Sequence, residues 1–126
     1  MIGAVTLVVA DYGAAIAFFV DKLGFALIED TPLSPDKRWV RVAPKGGGVC
    51  LLLAKAATPE QVARIGDQTG GRVAFFLETD DFARDYAAFV AKGVKFMRLP
   101  KTEPYGTVAV FLDCCGNLWD LIELQT

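Results

Sequence analysis

The sequence contains no histidine, which limits the side chains that could take part in catalysis or metal binding. A Ser-His-Asp triad and a Cys/His nucleophile pair are therefore excluded, as is an iron site built from two histidines and a carboxylate. Acid–base work would fall to Asp, Glu, Lys, Tyr or Cys. Three cysteines are present, Cys50, Cys114 and Cys115, without a CxxC pair. Reduced thiols are the favoured interpretation, and a disulfide between Cys114 and Cys115 is the alternative.

The overall composition narrows the class of partner. The chain has 126 residues, a net charge of −2, a pI near 5.0 and 53% hydrophobic residues. Such a chain is globular and presents no basic field, so we expect no nucleic acid and no anionic membrane as a partner. No apolar run reaches the roughly 18 residues that a membrane span needs. Without a basic segment ahead of an apolar run at its start, the sequence predicts a cytoplasmic location.

A short strand that leads into an amphipathic helix occurs twice, and these elements must position any site. The strands are predicted at 5–9 and 72–77, with Asp11 and either Asp80 or Asp81 as helix caps. Glycines 24 and 93 end the two helices. The apolar helix positions repeat at an offset of 70, with Tyr12, Ile16, Phe19 and Val20 matching Phe82, Tyr86, Phe89 and Val90.

Three further strands follow each helix. They are predicted at 25–29, 37–43 and 49–54 in the first half and at 94–99, 107–112 and 118–124 in the second, with loops at 31–36 and 100–106 and a tight turn at 113–117. The sequence thus predicts an α+β fold of two βαβββ modules, residues 1–55 and 72–126. A short helical linker, 56–71, joins them and begins with a capping box at Thr58.

Three segments carry a family resemblance that covers nearly the whole chain. They are VTLVVADYGAAIAFFVDKLGF (5–25), RVAFFLETDDFARDYAAFVAKGVKF (72–96) and PYGTVAVFLDCCGNLWDLIEL (104–124). With them the chain resembles the vicinal oxygen chelate superfamily, which includes glyoxalase I, bleomycin-resistance proteins and extradiol dioxygenases. The resemblance implies one glyoxalase-like domain in which two modules form a curved mixed sheet around a central cavity. It also implies a homodimer.

The metal-ligand positions of that superfamily correspond to Ala4, Cys50, Arg72 and Asp120 in this sequence. Histidine or glutamate is usual at these positions, and only Asp120 keeps a hard anionic ligand. A catalytic divalent ion needs three or four protein ligands, and the Arg72 guanidinium would put a permanent positive charge at the ion's position. The sequence therefore predicts that no metal ion or other cofactor is bound.

Strand alternation selects the side chains that would line the predicted cavity. It favours Thr6, Cys50, Phe76 and Asp120, while Tyr105 follows Pro104 in a loop at the cavity mouth. On the third strand, either Trp39 and Arg41 or else Arg38, Val40 and Val42 face inward. We hypothesise that Arg72 pairs with Asp120 where the ion would sit; the alternative is that Arg72 lies at an exposed strand end.

Three functions are consistent with these residues. The first is metal-independent binding of a small, partly aromatic or anionic molecule between the modules. The second is a metal-free lyase or isomerase of the same superfamily that works through Asp120, Tyr105 or Cys50. The third is a glyoxalase- or dioxygenase-type metalloenzyme in spite of the altered ligands. Neither catalytic residues nor an enzymatic activity can be assigned from the sequence.

Overall fold

The structure is a computed structural model that describes residues 1–125. The chain divides into two compact units, unit 1 (Met1–Gln68) and unit 2 (from Thr69 onward). Each unit contains one four-stranded mixed sheet. In the described part of the chain, no helix has the length and apolar character that would let it cross a membrane.

Unit 1 is built from four strands and three short helical segments. Its elements in chain order are β1 (Ala4–Val9), α1 (Tyr12–Ile16), a π-helix (Ala17–Lys22), β2 (Ala26–Ser34), β3 (Lys37–Ala43), β4 (Cys50–Lys55) and α2 (Pro59–Val62). The strand order in the sheet is β1-β4-β3-β2. The outermost pair β1–β4 is parallel, and the other pairs are antiparallel.

Unit 2 repeats this arrangement with one regular helix. Its elements are β5 (Val73–Glu78), α3 (Phe82–Ala91), β6 (Phe96–Glu103), β7 (Gly106–Leu112) and β8 (Leu118–Leu124). The strand order is β5-β8-β7-β6, again with one parallel pair, β5–β8. The prediction of two βαβββ modules is therefore confirmed.

The helices begin where side-chain caps were predicted. The Asp11 carboxylate accepts a hydrogen bond from the Ala14 N–H at 2.7 Å, and the Asp81 carboxylate accepts one from the Arg84 N–H at 3.1 Å. These bonds satisfy N–H groups that have no partner inside the helix. At the other end of α3, Gly93 has a φ of +81°, which an L-residue rarely adopts.

The loops predicted at 31–36 and 100–106 were largely wrong, because both segments are mostly strand. β2 continues to Ser34 and β6 to Glu103, and each contains a proline, Pro32 or Pro100. Both strands lie at a sheet edge and are bulged, with register shifts between Pro32 and Ser34 and between Arg98 and Lys101. An edge or bulged strand tolerates proline because the missing N–H leaves no ladder bond unmade.

The helical apolar faces were only partly predicted. In unit 1 the Leu23 N–H bonds to the Phe18 carbonyl, an i→i+5 contact that widens the turn and rotates the following side chains. Ala15 and Phe18 are also buried, although the 3.6-residue period favoured other positions. In α3, Val90 is 49% exposed, so the predicted match with Val20 does not extend to burial.

The helix-facing side of each sheet forms the core of its unit. In unit 1 this side carries Leu7, Val9, Val40, Val42 and Leu53, all at 0% exposure. In unit 2, Phe111 packs edge-on against Phe89 of α3, with 5.6 Å between ring centroids, and stacks on Trp119. Residues of opposite parity lie on the other side of each sheet, which is called the non-helix face below.

Strand register places one row of four side chains across each non-helix face. In unit 1 the row is Thr6 (β1), Leu52 (β4), Arg41 (β3) and Glu29 (β2). In unit 2 the row is Phe76 (β5), Asp120 (β8), Val110 (β7) and Arg98 (β6). These two rows contain four of the residues predicted or considered for the site, together with charged residues that were not predicted.

Candidate functional site

The row of unit 1 is closed by an ion pair. The Arg41 guanidinium donates to Oε1 of Glu29 from Nε at 3.2 Å and from Nη2 at 3.0 Å. Its Nη1 lies 3.9 Å from the Cys50 Sγ. Because Glu29 is on the neighbouring strand, the two charges neutralise one another. The Cys50 thiol thus lies beside the positive charge of Arg41.

The β3 strand resolves the alternatives left open by the sequence. Val40 and Val42 are fully buried on the helix side, and Arg38 lies there too, with its guanidinium carbon 5.1 Å from the centroid of the Tyr12 ring. Arg38 also bonds to Asp30, which holds the pKa of that carboxyl below its ordinary value. Parity therefore puts Trp39 and Arg41 on the non-helix face.

A pocket of about 370 Å³ in unit 1 brings two predicted site residues together. Thr6 and Trp39 both line it, and Trp39 is 39% exposed. Cys50 is not part of its lining. The lining mixes apolar side chains with both signs of charge, among them Leu52, Asp36 and Lys55.

In the row of unit 2 the two charged side chains do not lie on neighbouring strands. Asp120 and Arg98 are separated by Val110 on the intervening strand β7. Burial raises the pKa of the Asp120 carboxyl above its ordinary value, and the positive charge of Arg98 opposes that rise only in part. At the end of the row the Phe76 side chain is 64% exposed. The row thus ends in an exposed aromatic ring on one side and a cation on the other.

A second pocket, of about 500 Å³, opens on this part of unit 2. Its lining consists of small, apolar and cationic residues, namely Gly71, Arg72, Val73, Phe76, Arg98 and Leu118. Within residues 1–125 neither the Arg72 nor the Arg98 side chain forms an ion pair. The structure thus places two unneutralised guanidinium groups around one exposed ring.

Arg98 was missed by the sequence analysis, and strand alternation alone would not have found it. It lies on β6 in the row of Asp120, inside the strand predicted at 94–99. A register shift between Phe96 and Arg98 puts these two residues on opposite sides of the sheet, whereas simple alternation would put them on the same side.

The hypothesised Arg72–Asp120 pair is not formed, since no hydrogen bond or ion pair joins the two side chains in the described chain. Strand register gives the reason. Asp120 is paired with Phe76, whereas Arg72 precedes β5 and lies four residues before Phe76. Because Val73 is paired with Leu118, two residues before Asp120, Arg72 lies about three strand residues from Asp120, or about 10 Å along the strand.

The residues at the superfamily's metal-ligand positions do not fit a divalent ion. Ala4 is paired with Cys50 in the β1–β4 register and offers only a methyl group. Cys50 faces the Arg41 guanidinium, and Arg72 carries a positive charge of its own. Asp120 is then the one hard anionic donor of the four, which is fewer than the three or four protein ligands that such an ion requires.

One group of potential metal ligands does occur among residues 1–125, namely Asp113, Cys114 and Cys115. The buried Asp113 carboxylate already accepts five hydrogen bonds. Its Oδ1 accepts from the N–H groups of residues 115, 116 and 117 at 2.9 to 3.0 Å, and its Oδ2 accepts from Asn117 Nδ2 at 3.1 Å and Trp119 Nε1 at 3.0 Å. Asp113 therefore organises the turn.

The adjacent thiols of Cys114 and Cys115 lie in the same turn without a disulfide. Their Sγ atoms are 3.7 Å apart and share a hydrogen bond, which raises the pKa of the Cys114 thiol. A raised pKa lowers the thiolate fraction and hence the reactivity. The predicted reduced thiols agree with this arrangement.

Tyr105 lies in the two-residue turn between β6 and β7 and is 53% exposed. Its carbonyl oxygen accepts a hydrogen bond from the Gln125 N–H at 2.8 Å. It lines neither of the two pockets described above. A functional role for Tyr105 stays a prediction.

Known proteins match nearly the whole length of the chain. A protein of Shewanella frigidimarina (strain NCIMB 400) is 58% identical over 123 residues, which cover 96% of this chain and 91% of that protein. The crystal structure of UcmS2 has a TM-score of 0.84 and 32% identity, with 97% and 96% of the two chains covered. That of TnmS3, an antibiotic binding protein from Streptomyces sp. CB03234, has a TM-score of 0.80 and 31% identity, with 99% and 96% covered.

The family is identified by a profile match as well as by these relatives. The match spans residues 1–121, which include both βαβββ modules almost completely. Its extent agrees with the strand order and register described above. The chain therefore belongs to the Glyoxalase/Bleomycin resistance protein/Dioxygenase superfamily.

Proposed function

We propose that this protein binds a small, partly aromatic or anionic molecule without the help of a metal ion. The observation that supports this most directly is the pocket of unit 2, which the Phe76 ring shares with the guanidiniums of Arg72 and Arg98. Small-molecule sites are commonly apolar or aromatic surfaces with a few converging polar groups. A guanidinium that lacks an internal partner is free to bind a planar anion.

The donor set supports the metal-independent part of the proposal. Ala4 and Arg72 supply no ligand atom, and the positive charge of Arg72 disfavours a divalent cation nearby. Binding energy would then come from burial of the ligand's apolar surface and from charge-assisted hydrogen bonds.

A structural relative supports the small-molecule part. TnmS3, which matches 99% of this chain at 31% identity, is an antibiotic binding protein. By analogy we propose binding rather than turnover as the activity of this chain, with a ligand whose identity is set by its own pocket residues.

A ligand screen in two ionic conditions tests this function. The full chain is heated with a panel of aromatic acids, neutral aromatics and aliphatic acids, once with a chelator and once with added Mn²⁺ or Zn²⁺. A ligand at one hundred times its Kd stabilises the folded state by about 2.7 kcal/mol. We expect aromatic or anionic compounds to raise the Tm equally in both conditions. Stabilisation only with the added ion, or no stabiliser at all, would refute the proposal.

Two matched variants locate the binding surface. Phe76→Ala removes the exposed ring from the pocket, and Val90→Ala removes an exposed apolar side chain of α3 outside it. We expect Phe76→Ala to lower the affinity of any stabilising compound roughly tenfold, which corresponds to about 1.4 kcal/mol of lost contact. Val90→Ala should leave the affinity unchanged. Equal losses in the two variants would show that the ligand does not use this pocket.

A metal-free lyase or isomerase is the second candidate, and the raised pKa of Asp120 favours it. A carboxyl whose pKa moves toward neutrality is better suited to exchange protons. Asp120 has no hydrogen-bonded base or nucleophile in the described chain, however, so its charge would act alone. If a turnover is found, Asp120→Asn should abolish it; full activity in that variant would exclude this mechanism.

The homodimer implied by the family resemblance remains a proposal. Large apolar side chains such as Leu33 (55% exposed) and Leu99 (75% exposed) lie on the surface of the single chain. Surfaces of this kind are commonly covered by a partner. Analytical ultracentrifugation should give twice the 13.6 kDa chain mass, and a monomer at micromolar concentration would contradict the proposal.

A further inference from the structure

The pocket of unit 2 brings together two cationic side chains that have no acidic partner among the described residues. Arg38, Arg41 and Arg84 are each bound to a carboxylate. Arg72 and Arg98 form no ion pair within residues 1–125, and no carboxylate lines their pocket. Asp120, the nearest acidic residue in the row, contributes one negative charge against two positive ones. The pocket is therefore electropositive, whereas the chain as a whole is acidic.

The row across the sheet sets the dimensions of a ligand. Phe76 and Arg98 lie on the two outer strands of a four-stranded sheet, so three interstrand spacings of about 4.8 Å separate their backbones by about 14 Å. Arg98 and Phe76 nevertheless line the same pocket, together with Leu118 of β8. The pocket volume of about 500 Å³ is within the range of small-molecule sites and can hold one or two fused aromatic rings.

The two ends of this space require different chemistry. The exposed Phe76 ring can stack with a second ring, an arrangement worth about 1 kcal/mol beyond its buried area. A guanidinium binds a planar oxyanion through two parallel N–H···O bonds. A simple inorganic anion would leave Phe76 unused, and a neutral aromatic compound would desolvate the guanidiniums without replacing their hydrogen bonds.

We propose that the ligand of this pocket is a planar aromatic acid, in which an oxyanionic group is bonded directly to a system of one or two fused rings. The inference rests on the proposed binding function and names its ligand class. In this arrangement the ring lies against Phe76, and Arg72 and Arg98 bind the oxyanion.

Three naphthalene compounds that differ only in the group at position 2 test the class of ligand. The full chain, labelled with 15N, is titrated with 2-naphthoate, 2-naphthalenesulfonate and the neutral 2-naphthamide, and amide chemical shifts are followed. The naphthalenesulfonate stays anionic at every working pH, so it separates ligand charge from ligand titration. We expect both acids to shift the amides of Arg72, Phe76 and Arg98, and the amide probe to bind at least about tenfold more weakly.

Variants with a matched charge change identify the group that recognises the anion. Arg98→Gln should weaken both acids about tenfold and leave 2-naphthamide unchanged. Arg64→Gln removes another exposed, unpaired guanidinium from unit 1 and is the control for net charge; it should change neither. Phe76→Leu should weaken all three probes because each depends on the ring.

The outcomes separate this inference from the proposed function. Naphthamide binding at this pocket as tightly as naphthoate would overturn the aromatic-acid inference and leave the binding function intact. Equal weakening by Arg64→Gln and Arg98→Gln would also overturn it, because the effect would then be general electrostatics. Failure of all three probes to shift any pocket amide at millimolar concentration would overturn the inference, and the absence of any stabiliser in the wider screen would overturn the function.

Discussion

Each unit of the chain places an arginine on the non-helix face of its own sheet, but the two arginines have different neighbours. In unit 1, Arg41 and Glu29 lie on adjacent strands and bond at 3.0 Å. In unit 2, Arg98 and Asp120 have Val110 between them and form no ion pair. A displacement by one strand thus decides whether an arginine neutralises a neighbour or remains open to a ligand. This difference is the basis for proposing a structural role for the face of unit 1 and a binding role for that of unit 2.

The two units also differ in the turn before their last strand, and here it is unit 2 that has the hydrogen-bonded carboxylate. Asp113 of unit 2 matches Ala43 of unit 1 at the offset of 70, and only Asp113 can organise its turn by side-chain hydrogen bonds. The corresponding turn of unit 1 contains a backbone bond from the Gly47 N–H to the Pro44 carbonyl, at 3.1 Å. Unit 2 therefore has its structural carboxylate in a buried turn and its unneutralised charges on the sheet.

The largest expected effect comes from removing that carboxylate. Asp113→Asn keeps an acceptor for the three backbone N–H groups but turns an NH₂ group toward Asn117 Nδ2 and Trp119 Nε1. Two buried donors then lose their acceptor, so we expect the free energy of unfolding to fall by roughly 3 kcal/mol. Urea unfolding measures this change. Cys114→Ser, in the same turn, is the control, and an equal loss in both would show that the turn, not Asp113, limits stability.

A smaller effect is expected at the edge of unit 1. The Gln68 side chain accepts from the Val8 N–H at 2.9 Å and donates to the Thr6 carbonyl at 2.7 Å, so it replaces a neighbouring strand along β1. Gln68→Ala should lower the free energy of unfolding by about 1 kcal/mol and speed hydrogen exchange at the Val8 amide. Thr69→Ala, which removes one exposed bond, is the comparison. Unchanged exchange at Val8 would mean that water replaces the glutamine fully.

The strands and helices could be predicted from the sequence better than the positions of the charged side chains on them. β3 and β8 were predicted at their observed bounds, since each is a run of largely apolar and aromatic residues that follows a clear turn, Pro35-Asp36 before β3 and Gly116-Asn117 before β8. The edge strands β2 and β6 were predicted too short, to residues 29 and 99, because each continues through a proline and a linear pattern does not show which strand will lie at an edge. Arg98 lies within the predicted strand, but the bulge beside it determines its side of the sheet, and the pairing of Arg72 with Asp120 was inferred from the superfamily's ligand positions instead of strand register. Cross-strand register depends on bulges and pairing partners, which short-range spacing does not specify.

The contrast between the two arginines predicts opposite effects of the same substitution. Arg41→Gln breaks a half-exposed ion pair and should cost about 0.5 kcal/mol of stability while ligand affinity at the unit 2 pocket stays unchanged. Arg98→Gln breaks no ion pair and should change the free energy of unfolding by less than about 0.5 kcal/mol, although it weakens ligand binding. Urea unfolding and a probe titration are run on both variants. A loss of affinity in Arg41→Gln would remove the distinction between structural and binding arginines.

The smallest effect is a pH dependence at Asp120. Its folded-state pKa lies above the ordinary value of 3.8, so the carboxyl contributes stability while it is protonated and loses that contribution as pH rises through the folded pKa. Asp120→Asn should therefore match the parent protein below the ordinary pKa and be slightly more stable at pH 7, by less than about 0.5 kcal/mol because much of the side chain is screened by solvent. Urea unfolding at several pH values measures the difference. The values run from about 3.5 to about 7, roughly the width that titration of one carboxyl requires. A less stable Asn variant at pH 7 would mean that the Arg98 field outweighs burial, and Asp120 would then be a stabilising partner of Arg98 as Glu29 is of Arg41.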